Sequence, residues 1–373
     1  MKHIFFIVSE DRYFVSHRLH LAEEALLQGY KVTLLTKITD HKDLIKSKGI
    51  DILNWSLTRS SFSPIKELVS VWQIFIAMKQ IKPDLVHAVA LKPILYTSIS
   101  SKLLGLRSRV FSIAGLGFIF SSKKILARIL RPFVVLSFIV ALTGRKTRLI
   151  VQNRDDMKEL LKFRIINREK IYLIKGAGVN TRTYFPKPEK EGLPIVLLPA
   201  RFLWDKGIGD FVKAARLIKE SGEKARFVLV GEPDNHNPEA IKNSQIQKWI
   251  NEEVIESWGY QENMAEIYNS SSIVCLPSYR EGLPKALLEA ASSGRPIVTN
   301  DVPGCREVVI HKENGFLVTP QDPTSLAEAL KILLKSKELR KSMGKNGRRK
   351  IKQNFAQEII AQKTSQVWKE VLG

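Results

Sequence analysis

The chain has 373 residues, 44% hydrophobic and 26% charged, with 59 Lys plus Arg against 37 Asp plus Glu and a formal net charge of +22. This balance suits a globular protein of about two domains and excludes a disordered chain, a collagen-like fibre and a multi-span membrane protein. The excess charge points to an anionic partner: nucleic acid, an acidic lipid surface or a phosphorylated ligand.

Short apolar runs alternate with helical patterns from the first residues onward. IFFIV (4–8), KVTLLT (31–36), DLVHAVA (84–90), RVFSIAG (109–115) and LIVQN (149–153) read as buried strands. The first of them soon meets Glu10 and Asp11, so it is expected to be a strand and not a signal peptide. Helices are expected at Ser16–Gln28, Pro64–Lys79 and Asp155–Leu161, the second with Ser63 as N-cap before a first-turn proline. A second series, PIVLLPA, RFVLVG, SIVCLPS, PIVTN and GFLVT, begins near Leu193, with helices near 208–221, 283–293 and 323–335. Strands alternating with helices imply parallel sheets covered on both faces. The proline-rich, mixed-charge segment 185–194 reads as a linker. The expected domains are 1–187 and 188–355, with a last helix at 356–373 that can cross back to the first. Ligands of such sheets bind beyond the carboxyl ends of the strands, here expected in the cleft between two facing domains.

The charge is unevenly spread. Residues 1–190 hold 33 Lys/Arg and 14 Asp/Glu, whereas 191–373 hold 26 and 23. No acid occurs between Asp84 and Asp155, a window with twelve basic residues: Lys92, Lys102, Arg107, Arg109, Lys123, Lys124, Arg128, Arg131, Arg145, Lys146, Arg148 and Arg154. Within it lies the most apolar stretch, Ile125 to Leu142, broken by Arg128, Arg131 and Pro132 and too short to span a bilayer. It fits an interfacial helix or a buried core helix equally well. The two cysteines, Cys275 and Cys305, lack metal-ligand spacing and suit a reduced cytosolic protein.

Two segments carry chemistry. In SYREGLPKALLEAASSGRPIVTNDVPGCREVV (278–309), a strand runs into a loop and a helix expected to start near Leu283. Glu281 and Glu289 would fall within about 80° of each other on a helical wheel and could line one cavity. Gly282 and Leu283 would offer N–H groups to phosphate at the helix start. A carboxylate pair beside an anion site describes a ligand with phosphates and hydroxyls, such as a nucleotide sugar. In PARFLWDKGIGDF (199–211), Arg201 and Lys206 follow a strand end, where two cations can hold a diphosphate as it leaves. The bland alternatives are an acidic surface helix and two solvated cations.

Together these segments resemble the family 4 glycosyltransferases of the GT-B fold, through Glu281 and Glu289 in EGLPKALLE, Arg201 and Lys206 in RFLWDKG, and GRPIVTNDVPGCREVV and NGFLV (314–318). In the first half, HRLHLAEEALLQGYKVTLLT (17–36), KPDLVHAVALKPILY (82–96) and SIAGLGFIF (112–120) are similar to a bacterial subgroup. That subgroup adds sugars, often N-acetylhexosamines, to polyprenyl-diphosphate-linked intermediates of surface polysaccharides such as lipopolysaccharide O-antigen. The resemblance implies an α/β architecture of two doubly wound Rossmann-like domains. It implies that Glu289 binds the ribose hydroxyls and Glu281 the donor sugar, and that Arg201 and Lys206 hold the diphosphate, helped by backbone groups at Gly282, Leu283 and Pro284. It further implies that Gly259, Tyr260 and Gln261 border the uracil, that His87 faces the reacting sugar, and that Lys92 is a candidate phosphate contact. Retention of configuration and no metal or other cofactor are expected from the family, as is front-face transfer with a donor phosphate oxygen taking the acceptor proton.

The loop after the first strand, SEDRYFVSHR (9–18), lacks the glycines common among relatives. Ser16, His17 and Arg18, expected where the next helix begins, are candidates for an anionic acceptor phosphate. The implied partners are a nucleotide sugar, a polyprenyl-diphosphate-linked saccharide and an anionic membrane surface, with the protein peripheral on the inner face of the plasma membrane. Two other readings compete. A UDP-sugar 2-epimerase of the same fold leaves the basic window unexplained, and a nucleic-acid-binding protein would interleave its cations with aromatics, which lie mostly in apolar runs here.

Overall fold

A computed structural model of the chain describes residues 1–56, 63–115, 125–234 and 237–373. They form two compact units, Met1–Ala177 with Gln357–Gly373, and Gly178–Ala356. In the first unit, seven strands are all parallel in the order β3-β2-β1-β4-β5-β6-β7. They are β1 His3–Glu10, β2 Lys31–Lys37, β3 Asp51–Asn54, β4 Leu85–Val89, β5 Arg109–Ile113, β6 Thr147–Val151 and β7 Ile171–Leu173. In the second unit, six parallel strands take the order β10-β9-β8-β11-β12-β13. These are β8 Ile195–Pro199, β9 Arg226–Val230, β10 Glu256–Ser257, β11 Ile273–Leu276, β12 Ile297–Asn300 and β13 Gly315–Val318. Each order reverses once, between β1 and β4 and between β8 and β11. Those reversals are the positions where open α/β sheets leave a crevice for ligand.

Alternation along β1 shows why such strands read as continuous apolar runs. Phe5 and Ile7 enter one core with Trp55, Ile74 and Phe111, while Ile4, Phe6 and Val8 enter the other with Phe14, Leu21 and Trp368. Both faces are covered, so no polar alternation marks the sequence. The helix Gln357–Leu372 belongs to the first unit, where Ile360, Val367, Trp368 and Val371 complete the second of these cores.

Several expectations need correction. Residues 178–187 belong to the second unit: Val179 N donates to Phe355 O at 2.9 Å, and the Tyr184 ring lies 6.0 Å from that of Tyr268. The linker-like 185–194 segment is anchored too, since Glu189 accepts from the nearly buried Arg340 at 2.7 Å. The expected helix at Ser16–Gln28 is two helices, Asp11–His17 and Leu19–Leu27, joined at Arg18. Ser63 does precede Pro64 in extended geometry, without a side-chain cap bond. Among its described side chains the helix Ile125–Ala141 has both buried and exposed apolar groups: Phe138 is buried, whereas Leu136 and Val140 are exposed. No described helix is long and apolar enough to cross a membrane. Residues 116–120 of the SIAGLGFIF match, Lys123 and Lys124, and the side chain of Arg128 lie outside the described residues.

Candidate active site

The best-formed constellation sits at the β8/β11 reversal. After β8, residues Trp204–Lys206 form a short 3₁₀ turn closed by Gly207 at φ 72°. Only glycine fits there, because a Cβ would run into the Pro277 carbonyl oxygen and the left-handed backbone is strained for other residues. That close approach brings the 200–207 loop against the 277–284 loop after β11. Tyr279 N donates to Asp205 O at 2.9 Å, and Lys206 Nζ meets Glu281 Oε1 at 2.7 Å. The two side chains are 19% and 12% exposed, so the pair is sheltered but reachable. A third loop joins through Gly304, whose N–H donates to Glu281 O at 3.2 Å. A Cβ at Gly304 would lie 2.5 Å from Gly282 O.

The helix after this loop runs Lys285–Ser292, with Pro284 extended at its N-cap, not from Leu283. Glu281 therefore lies outside the helix, and the wheel argument that paired it with Glu289 does not hold. Each carboxylate has its own partners. Glu289, 7% exposed, accepts from Tyr268 OH at 3.0 Å and pairs with Lys285 at 3.2 Å. Burial and the neighbouring Glu289 push the phenols of Tyr268 and Tyr184 up, so both keep their protons and serve as donors. Pro284 has no N–H to offer, so Gly282 and Leu283 alone supply the expected loop donors. Arg201 pairs with Asp234 at 2.5 Å and is more than half exposed. Tyr260 is also more than half exposed; it follows Gly259, which turns at φ 66° just after β10. Gln261 Nε2 donates to Trp258 O at 2.7 Å and holds this turn. Sequence reasoning missed Lys285, Tyr268 and Tyr184. The i,i+4 spacing of Lys285 and Glu289 was the one visible signal.

The first unit distributes its candidates differently. His87 lies in the middle of β4, fully buried, with Nε2 at 2.7 Å from Ser112 Oγ and Nδ1 accepting from Trp368 Nε1 at 3.2 Å. Burial first, then the charge of Arg18, lower its pKa to about 3. A ring without accessible surface cannot face a reacting sugar, so the expected contact role gives way to a neutral core histidine. Ser16 and His17 end the first of the two helices, where carbonyls and not N–H groups are exposed. Ser16 Oγ accordingly donates to Arg12 O at 2.8 Å, and His17 stacks on Tyr13 at 4.3 Å. Lys92 pairs with Glu67 at 2.8 Å. Arg18 stands apart: it is 3% exposed and its Nε has no acceptor among the described residues.

Known proteins match the chain over most of its length. A model of group 1 glycosyl transferases matches residues 180–350, and a glycosyl transferase 4-like model matches 3–153. The chain belongs to these family 4-like glycosyltransferases. It is 25% identical over 355 residues, 92% of each chain, to the N,N'-diacetylbacillosaminyl-diphospho-undecaprenol alpha-1,3-N-acetylgalactosaminyltransferase of Campylobacter jejuni. It is 27% identical over 308 residues, 79% of this chain and 77% of the relative, to the UDP-Gal:alpha-D-GlcNAc-diphosphoundecaprenol alpha-1,3-galactosyltransferase of Escherichia coli. Among solved structures, HepE of Anabaena in complex with UDP-glucose superposes with TM-score 0.78 at 16% identity, covering 99% of this chain and 100% of that one. The fold of this glycosyltransferase is therefore GT-B, with two Rossmann-like units.

Proposed function

We propose that this glycosyltransferase moves a sugar, best an N-acetylhexosamine such as N-acetylgalactosamine, from a UDP-sugar to a polyprenyl-diphosphate-linked saccharide. The reaction retains configuration, uses no metal and serves cell-surface polysaccharide synthesis at the cytoplasmic face of the membrane. The observation that carries the reading is the Lys206–Glu281 pair at the β8/β11 reversal. The names of the two curated relatives support the lipid-diphosphate acceptor.

In this reading the C1–phosphate bond of the donor breaks as the acceptor oxygen bonds to C1 on the same face, and a donor phosphate oxygen takes the acceptor proton. Lys206 stabilises the charge growing on the departing diphosphate, with Gly282 and Leu283 beside it. Arg201 exchanges Asp234 for a phosphate oxygen. Glu281 accepts from a donor-sugar hydroxyl, Glu289 from the ribose, and Tyr260 covers the uracil. The buried guanidinium of Arg18 receives the acceptor diphosphate. It lies near the β1/β4 reversal, where Ala90 is held at φ 81°, ψ 162°, a conformation that costs about 1–3 kcal/mol and is a mark of functional sites.

The test is incubation with a panel of UDP-sugars, with and without a bacterial lipid extract and with and without EDTA. One UDP-sugar should be consumed only with extract, EDTA should change nothing, and the lipid product should gain the mass of one N-acetylhexosamine residue. Interconversion of UDP-sugars without extract would instead mark an epimerase.

A further inference from the structure

The first unit holds a second cationic feature, at the opposite end of its strands from Arg18. Arg109 is the first residue of β5 and Thr147 the first of β6. Around these amino ends lies a cavity of about 780 Å³ lined by Lys102, Arg107, Arg109, Gly144, Arg145 and Lys146, with no carboxylate among the described residues that line it. At about 3.3 Å per residue, the five residues of β5 separate it from the carboxyl edge by roughly 15 Å, so it is distinct from the acceptor site proposed above.

The pocket is built and not merely a row of surface lysines. Arg109 is 4% exposed; its Nη2 donates to Thr143 O, while Nε and Nη1 are buried with no acceptor among the described residues. Gly144, at φ 125°, lets the guanidinium in, since a Cβ there would collide with Nη2. Lys102 donates to Val140 O at the end of the helix Ile125–Ala141. Desolvation lowers the pKa of both Lys102 and Arg109, and Arg109 lowers Lys102 further, so these cations repel each other without a counter-charge. By contrast, Lys92 and Arg148 of the same acid-free window are neutralised from outside it, by Glu67 and Glu370. A buried guanidinium with two unused nitrogen donors, Nε and Nη1, calls for an anion with several acceptor oxygens.

What flanks the pocket narrows the ligand. On the helix Leu91–Leu103, Ile99 and Leu103 are 49% and 71% exposed at i,i+4; on Ile125–Ala141, Leu136 and Val140 are 61% and 52% exposed with the same spacing. The helices touch through Ser98 Oγ and Ala141 O at 3.0 Å. Exposed aliphatic pairs bordering unpaired cations match the interface of an anionic bilayer. We propose that this pocket binds the phosphate of an anionic membrane lipid headgroup and tethers the first unit to the membrane, apart from any hold on the acceptor. The inference rests on the membrane association in the proposed function and not on the donor assignment.

Flotation with phosphatidylcholine vesicles, with and without phosphatidylglycerol, tests it. Arg109→Met risks misfolding, so the working variant reverses two exposed lining cations, Arg107→Glu with Arg145→Glu. The control Lys42→Glu with Lys46→Glu makes the same charge change elsewhere on the first unit. The wild type should float only with phosphatidylglycerol. The pocket variant should lose about thirtyfold in vesicle affinity, at ~1 kcal/mol for each cation removed, and the control less than about threefold. Equal losses in the two variants would overturn the pocket and leave membrane association standing. No flotation of the wild type would overturn both. Binding of glycerol phosphate by a protein that ignores vesicles would give the pocket to a soluble phosphate ester and overturn the lipid assignment.

Discussion

Lys206 and Glu281 can each be interrogated singly, because the roles assigned to them differ. Lys206→Ala removes the cation proposed to face the departing diphosphate and leaves Glu281 without its Lys206 partner. Turnover should drop by about 10²–10³-fold, the scale seen when one donor to developing charge is removed. Stability should fall by only about 1–3 kcal/mol, since water still reaches the pair. Glu281→Gln keeps an acceptor for Lys206 and should lose turnover with little change in folding. Steady-state kinetics beside a urea melt separate the two effects, and full turnover in Lys206→Ala would remove Lys206 from the site.

His87 supplies a pH signature of its own. In the unfolded chain it takes a proton below about 6.5, but in the folded protein only near 3. Between those values the unfolded state binds more protons, so stability falls as pH falls, by at most about 1.4 kcal/mol per pH unit, and is complete above 6.5. The depressed carboxyls of Glu189, Glu256 and Glu370 lose their contributions at lower pH, below the ordinary 4.5 of a glutamate. Urea melts of His87→Gln against wild type from pH 7 to pH 5 should therefore show a flatter slope in the variant; parallel slopes would mean that the folded ring titrates normally.

At the scale of elements, three loops after β8, β11 and β12 are held together by close backbone approaches that tolerate no side chain. Gly304→Ala places a Cβ 2.5 Å from Gly282 O and 2.7 Å from Glu281 O, and Gly304 sits in the first turn of the helix Pro303–Val308. The loop carrying Glu281 must yield, so KM for the donor should rise several-fold while β11 and β12 keep their hydrogen-exchange protection. Unchanged kinetics would show that the loop position is not critical. The same elements show what was legible beforehand. Strands buried on both faces, such as β1 and β8, announce themselves as apolar runs. The edge strands β3, with three of four residues exposed or nearly so, and the two-residue β10 carry no such signal. Helix boundaries failed where local chemistry overrode periodicity. Pro284 delays one helix, and Asp11 starts another early because its buried carboxylate accepts from Thr39 N at 2.7 Å and His41 N at 3.1 Å. Lys206 and Glu281 meet because their loops follow the adjacent strands β8 and β11, a placement the strand pattern already implied, whereas the wheel spacing that joined Glu281 to Glu289 failed at Pro284. His87 was misread because burial depends on a helix some 280 residues later in the chain.

For the whole molecule, that distant helix decides how the first unit is made. Its sheet comes from residues before 178, yet one core is finished by residues after 356. Trp368 is fully buried, edge-on to Phe6 at 5.8 Å, and it donates to His87. Arg148 meets Glu370 at 2.7 Å, and Tyr172 bonds the same carboxylate, fastening β6 and β7 to the helix. Removing the indole leaves a large cavity and an unpaired imidazole nitrogen, which together should cost about 3–5 kcal/mol. The loss should be local, because Lys206, Glu281 and Glu289, the residues proposed to hold the donor, sit in a unit with its own core. Trp368→Ala should therefore speed hydrogen exchange in β1 and β4 by orders of magnitude while β8 and β11 exchange at the wild-type rate and the donor nucleotide still binds. Exchange accelerated equally in all four strands would show instead that the two units stand or fall together.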